Sequence, residues 1–331
     1  MKRRLANLSI LWALVAVACG GAAAESTTTV AIRNPTTTVV ATTAARPTTT
    51  ANLDTGFPVT LSAANGDVVL DTRPTRIISI SPTATEMLFA LGAGDQVVAV
   101  DEFSTFPESA PVTDLSGFQP SVEAIASYEP DLVVVSFDPN DLVASLAAVG
   151  IPVLLAPSAA TLEDVFAQIE QLGTATGNID GASELVASMR ADIDEIVAGL
   201  VDVMAAPTYY HELGPELYTA TSATFIGEVY AILGFVNIAD AADVDGFGFP
   251  QLSGEWILDQ NPDFIFLADT ICCGASAESV AERPGWDGLA AVISGRVVEL
   301  DDDIASRWGP RVVDLLRVIA AVVNDVATAE S

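Results

Sequence analysis

The chain has 331 residues and a formal charge of −31, since 44 acidic residues stand against 13 basic ones. Nucleic acid is therefore a poor partner, because phosphate contacts require clustered lysine and arginine, and Lys2 is the only lysine. Half of the residues are hydrophobic and 17% are charged, which allows a core large enough for two lobes of ordinary domain size.

The first residues predict export. Residues 1–4 form a basic head, an apolar stretch spans 8–18, and Cys19 follows, the pattern of a secretory signal. The stretch is too short to span a bilayer, which takes about 20 apolar residues. Cys19 looks like the cysteine of a lipobox, so we predict a signal peptide over 1–18 and lipid attachment at Cys19. A plain secretory signal with an incidental cysteine is the alternative.

The next segment predicts a tether. From Ser26 to Thr50, 11 of 25 residues are threonine, with almost no charge. Such a stretch buries too little apolar surface to offset the entropy of ordering it. We therefore predict a disordered, Thr-rich tether over residues 19–56 that holds a folded body at the membrane surface.

From residue 57 onward, buried strands alternate with helices. Apolar runs predict strands at 76–80, 96–100, 131–135 and 151–155, and helical spacing predicts helices at 87–91, 122–127 and 139–149. Ser81 or Thr83 can cap the first helix, with Pro82 in its first turn. Strands that are apolar on both faces indicate a parallel sheet covered by helices on both sides.

The pattern changes at residue 180. Apolar residues recur at helical spacing with no strand signal as far as Met204, which predicts one helix of about 25 residues before Pro207. A second series then begins, with strands at 208–211, 263–267 and 296–300 and helices at 225–233, 256–260 and 310–326. The predicted fold class is α/β: two Rossmann-like parallel-sheet lobes, at 57–179 and 206–331, joined by a single long rigid helix at 180–205.

Five motifs in this order resemble the periplasmic-binding-protein family for ferric siderophores, haem and cobalamin, the helix-bridged receptors of ABC importers. The resemblance covers roughly residues 70–327. The motifs are RIISISPTATE at 76–86 with ALGAG at 90–94, EFSTFPE at 102–108, SVEAI at 121–125, EPDLV at 129–133, and LSGEWIL at 252–258 leading into NPDFI at 261–265.

The resemblance implies a binding protein that catalyses nothing itself. Its implied partners are an ABC permease dimer, with the ATPase reached through the permease, and a small metal-chelate ligand. It implies no cofactor of the protein's own. The bound ligand is expected to be a corrinoid or a ferric siderophore, with haem the next candidate. We expect an extracytoplasmic monomer whose only membrane contact is the lipid anchor.

The resemblance implies that two acidic residues dock this protein onto the permease. In cobalamin-binding relatives, an acidic residue on each lobe docks into arginine pockets of the two permease subunits. By similarity these are Glu123 and Glu255, each in a helix-opening segment ahead of a Pro-Asp-strand motif. Paired acids suit a two-fold partner, and rim charges set recognition and association rate. The alternative is that each acid only favours the start of its helix.

The fold also predicts where a ligand lies. Ligands of open parallel sheets sit beyond the carboxyl ends of the strands. The candidate ligand-binding residues at these ends are Ser81, Phe103, Phe106, Phe118, Phe137, Tyr210, His211 and Glu212, together with the 269–273 loop. By resemblance, Arg307 and the adjacent Trp308 join them, ahead of the last helix. Aromatic faces and one planar donor suit a flat chelate, although each aromatic could instead belong to the core.

His211 is the only histidine. Beside Tyr209 and Tyr210 it is a candidate axial ligand for haem iron or cobalt, while a hydrogen-bonded structural histidine is the commoner role at a strand end. No direct metal site is predicted. Cys272 and Cys273 are adjacent, and two states are open for them: a vicinal disulfide, or two thiols in a loop.

Three other classes of protein are weaker matches. A receptor for bare zinc or manganese uses several histidines, and this chain has one. An esterase-like enzyme needs a Gly-x-Ser-x-Gly elbow, which is absent from the sequence. A lipid-tethered sensor would retain the fold without transport, and the presence of both Glu123 and Glu255 favours transport instead.

Overall fold

A computed structural model describes residues 56–201 and 206–330, with side chains described as far as residue 326. The predicted signal peptide, Cys19 and all but the last residue of the predicted tether lie outside this part of the chain, as do Val203 and Met204. Within it, no helix combines the length and apolar character needed to cross a membrane.

The N-terminal lobe begins with an antiparallel hairpin and continues as alternating strands and helices. Its strands are β1 (Val59–Ala63), β2 (Gly66–Leu70), β3 (Ile77–Ile80), β4 (Val97–Val100), β5 (Leu132–Val135) and β6 (Val153–Leu155). Its helices are α1 (Pro82–Ala90), α2 (Val122–Ala126), α3 (Leu142–Ala148) and α4 (Leu162–Thr176). The hairpin and α4 are not among the predicted elements.

The predicted parallel sheet is present in this lobe. The strand order is β4-β3-β5-β6, and all pairs are parallel. Every residue of β3 and β5 is buried, as expected for strands covered on both faces. Of the two candidate caps for α1, Ser81 is the one used: its side chain accepts a hydrogen bond from the Ala84 amide at 3.2 Å.

The helix α5 (Ile179–Ala198) follows α4. It begins where predicted but ends six residues before Met204, so the prediction of a helix to that point is wrong. Gly199 caps it, and its amide donates to the Glu195 and Ile196 carbonyls. Glycine lowers helix propensity, because it loses more backbone entropy in a helix than other residues do. Apolar spacing beyond Gly199 therefore did not extend the helix.

The C-terminal lobe contains the second series. Its strands are β7 (Thr208–Glu212), β8 (Val236–Asn237), β9 (Phe264–Leu267) and β10 (Val297–Glu299). The helices, in chain order, are α6 (Phe225–Ile232), α7 (Gly254–Gln260), α8 (Thr270–Cys273), α9 (Ala277–Ala281), α10 (Ala290–Ile293), α11 (Asp302–Ser306) and α12 (Val312–Glu330).

The two sheets share one topology. The second sheet has the order β8-β7-β9-β10, again all parallel, which matches β4-β3-β5-β6 strand for strand. An aspartate marks the same place in both lobes: Asp131 ahead of β5 accepts from the Thr75 amide at 2.8 Å, and Asp263 ahead of β9 accepts from the Thr208 amide at 2.9 Å. The predicted pair of α/β lobes is confirmed.

One apolar core runs through both lobes. It joins side chains of α1, α4 and α5 with those of β7, β9 and α12 in a single cluster of buried residues. The helix α12 packs on α5 as well as on α6. The lobes are therefore connected by packed surface and not only by the helix that links them in sequence.

Candidate functional site

Three phenylalanines form an exposed platform at the carboxyl edge of the N-terminal sheet. Phe103 and Phe118 lie in the segment that follows β4, and Phe137 follows β5. The ring centroids of Phe103 and Phe118 are 5.0 Å apart in an edge-to-face arrangement, and those of Phe118 and Phe137 are 6.4 Å apart. Phe118 keeps 66% of its surface exposed, and the other two are also exposed. Three neighbouring exposed rings are unusual on a protein surface and indicate a binding face. We call them the phenylalanine platform.

Local hydrogen bonds hold the platform in shape. The Glu102 carboxylate accepts from the Gly117 amide at 2.8 Å, and the Asp101 carboxylate accepts from the Phe103 amide at 2.8 Å. Gly117 has a steric role, since a β-carbon there would lie 3.1 Å from the Phe103 ring. A side chain at position 117 would therefore require the Phe103 ring to move by a few tenths of an ångström.

An ion cluster crosses between the lobes beside this platform. Glu86 of α1 is buried, with 1% of its side chain exposed, and accepts from Arg307 at 2.8 Å and from Arg311 at 2.9 and 2.5 Å. The hydrogen bonds from Arg311 to this carboxylate raise the pKa of the guanidinium. Arg311 also lies 4.3 Å over the centre of the Phe106 ring. We call Glu86, Arg307 and Arg311 the inter-lobe ion cluster.

This cluster corrects the role predicted for Arg307. Its guanidinium also donates to the Phe103 carbonyl at 3.0 Å and pairs with Asp303 at 2.6 Å. The group is thus engaged by three acceptors and is largely buried, so it is not a free planar donor for a ligand. Trp308 is partly buried and donates from Nε1 to Gln168 at 3.1 Å, which adds a second contact between the lobes.

Four of the predicted ligand residues lie in the interior. Ser81, Tyr210, His211 and Glu212 have at most 2% of their surface exposed. Ser81 caps α1, and Tyr210 packs against Trp286 in the core of the C-terminal lobe. Position at the carboxyl end of a strand does not decide whether a side chain points to the sheet edge or into the core. These four residues are therefore buried in the structure, whereas the sequence analysis predicted that they line the cleft.

His211 is the clearest of these corrections. Its Nδ1 lies 2.9 Å from the Tyr230 hydroxyl, and burial lowers the pKa of the imidazole to about 3, so the ring is neutral. An axial ligand must reach the metal of the bound chelate, and this side chain has no exposed surface. Within residues 56–201 and 206–330, no group of three or more His, Cys, Asp and Glu residues is placed to hold a metal ion.

Glu212 and Asp269 form a buried acidic pair next to Arg283. Glu212 receives two bonds of 2.6 Å from Arg283, whereas neither carboxyl oxygen of Asp269 meets a donor in the described part of the chain. Burial, and then the Glu212 charge, raise the pKa of Asp269 to about 7. A proton on Asp269 supplies the missing donor between the two carboxyl groups.

The Asp269 proton predicts a pH-dependent stability. Because the pKa of Asp269 is raised in the folded protein, this group contributes stability that is greatest below its usual value near 3.8 and is lost as pH rises through about 7. The free energy of unfolding of the native protein should therefore fall between pH 5 and 8, relative to that of an Asp269→Asn variant, whose amide imitates the protonated acid. Urea unfolding of both proteins across this range measures the difference, and parallel curves would refute it.

The two predicted docking acids occupy equivalent places. Glu123 and Glu255 are each the second residue of a helix, exposed, and preceded by a serine whose side chain caps the helix. Glu123 stands nine residues before the start of β5 and Glu255 nine residues before the start of β9, the matching strand of the other lobe. The pseudo-symmetry noticed in the sequence is thus reproduced in the topology, while the docking role remains a prediction.

Further exposed apolar residues lie at the carboxyl edge of the C-terminal sheet. Tyr218, in the segment after β7, forms an antiparallel bridge with Gln251, and the segment after β8 exposes Val244 and Phe247. Sequence reasoning did not single out these residues. Phe247 is flanked by Gly246 and Gly248, and an aromatic residue next to glycine, as Phe118 is to Gly117 and Trp308 to Gly309, is a local signal that could have found it.

A family model described as a periplasmic binding protein matches residues 77–304, which include both parallel sheets, the phenylalanine platform and Glu86 of the inter-lobe ion cluster. The chain belongs to the periplasmic binding protein family.

Two relatives of this periplasmic binding protein cover most of its length. One, from Bacillus subtilis, is described as an uncharacterized ABC transporter substrate-binding lipoprotein, YvrC; it is 33% identical over 80% of this chain and 85% of its own length. Another, from Halobacterium salinarum, is described as a cobalamin-binding protein; it is 35% identical over 78% of this chain and 72% of its own length.

The fold also matches solved structures. The periplasmic haem-binding protein RhuT from Roseiflexus sp. RS-1, in its apo form, superposes with a TM-score of 0.67 and 25% identity, over 76% of this chain and 98% of that one. These three relatives are named for binding or transport, and none is named as an enzyme.

Proposed function

We propose that this protein is the substrate-binding lipoprotein of an ABC importer, and that it captures a corrinoid between its two lobes and delivers it to the permease. The family match and the cobalamin-binding relative support the class of ligand. The observation that carries the proposal is the phenylalanine platform, at the edge of the sheet where ligands of parallel α/β folds bind.

The chemistry of the platform suits a large, flat chelate. A corrin ring offers an apolar face that can cover several aromatic side chains at once, whereas a small anion offers none. Aromatic contacts of this kind contribute about 0.5–1.5 kcal/mol each beyond the area they bury. Acidic side chains dominate the chain as a whole, which disfavours strongly anionic ligands.

A binding titration tests the proposal. Purified protein without its signal peptide is titrated with cyanocobalamin, with haemin and with a ferric catecholate siderophore in parallel, and tryptophan fluorescence and calorimetry report binding. Tight saturable binding of cyanocobalamin is expected. Binding of haemin or the siderophore with no affinity for cyanocobalamin would overturn the corrinoid assignment.

Haem is the second candidate ligand, and the structural similarity to RhuT favours it. His211, Tyr209, Tyr210 and Tyr230 are buried and cannot reach an iron atom at the lobe surface, which leaves the exposed Tyr218 as the axial ligand that this lobe could offer. A Soret band in protein purified from its native host would decide for haem, and a corrin spectrum would decide for the corrinoid.

Replacing Phe118 with alanine should weaken ligand binding roughly tenfold, because the most exposed ring of the platform would be lost. Folding stability should hardly change, since the ring is mostly solvated in the free protein. Ile293→Ala is the matched control: this side chain is 72% exposed, and it lies in α10, next to the opposite end of the C-terminal sheet. Equal affinities for both variants would show that the platform does not contact the ligand.

A further inference from the structure

The short helix α8 places a disulfide on the surface of the C-terminal lobe. Cys272 and Cys273 are joined to each other as a vicinal disulfide, one of the two states that the sequence left open. Residues 271–274 are all exposed, and Ile271 keeps 71% of its surface in solvent. The helix follows β9 directly, at the carboxyl edge of the sheet.

Asp302 anchors this surface. Its carboxylate accepts from the amides of Thr270 at 2.8 Å and Cys272 at 2.7 Å, and from the Ile271 amide between them at 3.1 Å. The Thr270 hydroxyl donates to the Leu300 carbonyl at 2.7 Å. An exposed isoleucine and a disulfide are thus held by a network of hydrogen bonds, although neither is needed to fill the core.

The same network shows which part of the molecule lies next to the helix α8. Asp303, next to Asp302 in α11, accepts from Thr105 of the N-terminal lobe at 3.3 Å and pairs with Arg307, which in turn contacts the Phe103 carbonyl. The helix α8, bonded to Asp302, therefore lies beside the part of α11 that contacts the N-terminal lobe near Phe103. Sulfur is polarizable, and the sulfur atom of methionine makes favourable contacts with aromatic rings; the disulfide sulfur atoms are expected to behave similarly beside a conjugated ring.

We infer that Ile271 and the Cys272–Cys273 disulfide form the contact surface of the C-terminal lobe for the ligand, opposite the phenylalanine platform. The inference rests on the proposed function, since it assigns the second wall of the same site. It gives the disulfide a role in binding: two thiols would be more polar and more mobile than the bonded pair, and would present a different surface to the ring.

Two variants test this contact. Ile271→Asp and the double variant Cys272→Ser/Cys273→Ser should each bind cyanocobalamin at least tenfold more weakly than the native protein. Ile293→Asp, a change of the same kind at an equally exposed isoleucine of the same lobe, should keep native affinity. Thermal unfolding checks that the variants are folded. If native affinity is retained in both variants, the inference is overturned.

Ligand protection gives an independent measure that needs no variant. Bound cyanocobalamin should slow the reduction of the disulfide by dithiothreitol several-fold. The extent of reduction is measured by iodoacetamide labelling of the 271–274 peptide. Equal rates with and without ligand would overturn the contact, as would alkylation of the untreated protein, which would show free thiols.

If the native protein binds none of the three chelates, the proposed function fails; if it binds and the variants bind equally well, only this inference fails. Native ligand affinity with lost uptake in Ile271→Asp would assign the tip of α8 to the permease.

Discussion

Replacing Glu86 with alanine is expected to lower the free energy of unfolding by about 3–5 kcal/mol, because the change leaves Arg307 and Arg311 largely buried without their shared counter-charge. The loss is larger than for an ordinary surface pair, since the buried guanidinium groups cannot regain full hydration. Urea unfolding followed by circular dichroism measures it. Glu86→Gln should lose less, because the amide oxygen still accepts a hydrogen bond from one of the two arginines.

The chain contains a matched control for this experiment. Glu163 and Arg190 form a two-bonded pair of the same chemistry, with both distances 2.7 Å, but 69% and 49% of these side chains is exposed. Solvated pairs contribute little to stability, because water competes for both charges. Glu163→Ala should therefore be nearly neutral, and a loss for Glu86→Ala as small as that of Glu163→Ala would show that the inter-lobe ion cluster does not stabilise the fold.

Uptake should be abolished in a Glu123→Ala/Glu255→Ala double variant, while ligand affinity stays unchanged. Both carboxylates are exposed at equivalent places on the two lobes, where a two-fold permease can contact them together, and neither belongs to the phenylalanine platform. Complementary charges of this kind set recognition and association rate. Uptake of labelled cyanocobalamin by cells that lack their own copy of the protein, with calorimetry on the purified variant, measures the two effects separately.

Asp180→Ala/Glu278→Ala is the control for this pair. Asp180 and Glu278 are also exposed acids at the second position of a helix, so removing them changes the net charge and the helix-end electrostatics by the same amount. The control variant should support normal uptake. Survival of uptake in the Glu123/Glu255 variant would show that these acids serve only their helices, and equal loss in both variants would point to net charge as the cause.

The succession of strands and helices was predictable because its signals are local. The four buried residues of β5, the serine caps of α1 and α7, and the long helical spacing of α5 are each encoded within a few residues. The helix α4 carries equally local signals, with a capping box between Thr161 and Asp164, yet it was not among the predicted elements. Besides such omitted elements, the end of α5 was predicted wrongly, because the helix stops at Gly199 although the apolar spacing continues.

The inter-lobe contacts were not predictable in the same way. Glu86 and Arg307 are 221 positions apart, and neither residue's neighbours in sequence identify its partner. The resemblance to known receptors suggested a ligand for Arg307, and the folded chain instead satisfies it internally. His211 shows a second reason why a site residue could be predicted wrongly. Because β7 is buried on both faces, its side chains point into the core and not into the cleft, and no local sequence pattern distinguishes these two cases.

The apolar core that runs through both lobes bears on how such receptors diverge. If one lobe were taken from a relative, its side of the shared core would come from the relative's sequence. Its α5 or α12 side chains would then pack against a surface to which they are not complementary. Recombinants that exchange one lobe should therefore fold poorly unless the matching half is exchanged too. New ligand preferences are accordingly expected to arise by changes in the exposed segments after β4, β5, β8 and β9, while the buried interior is inherited as a whole.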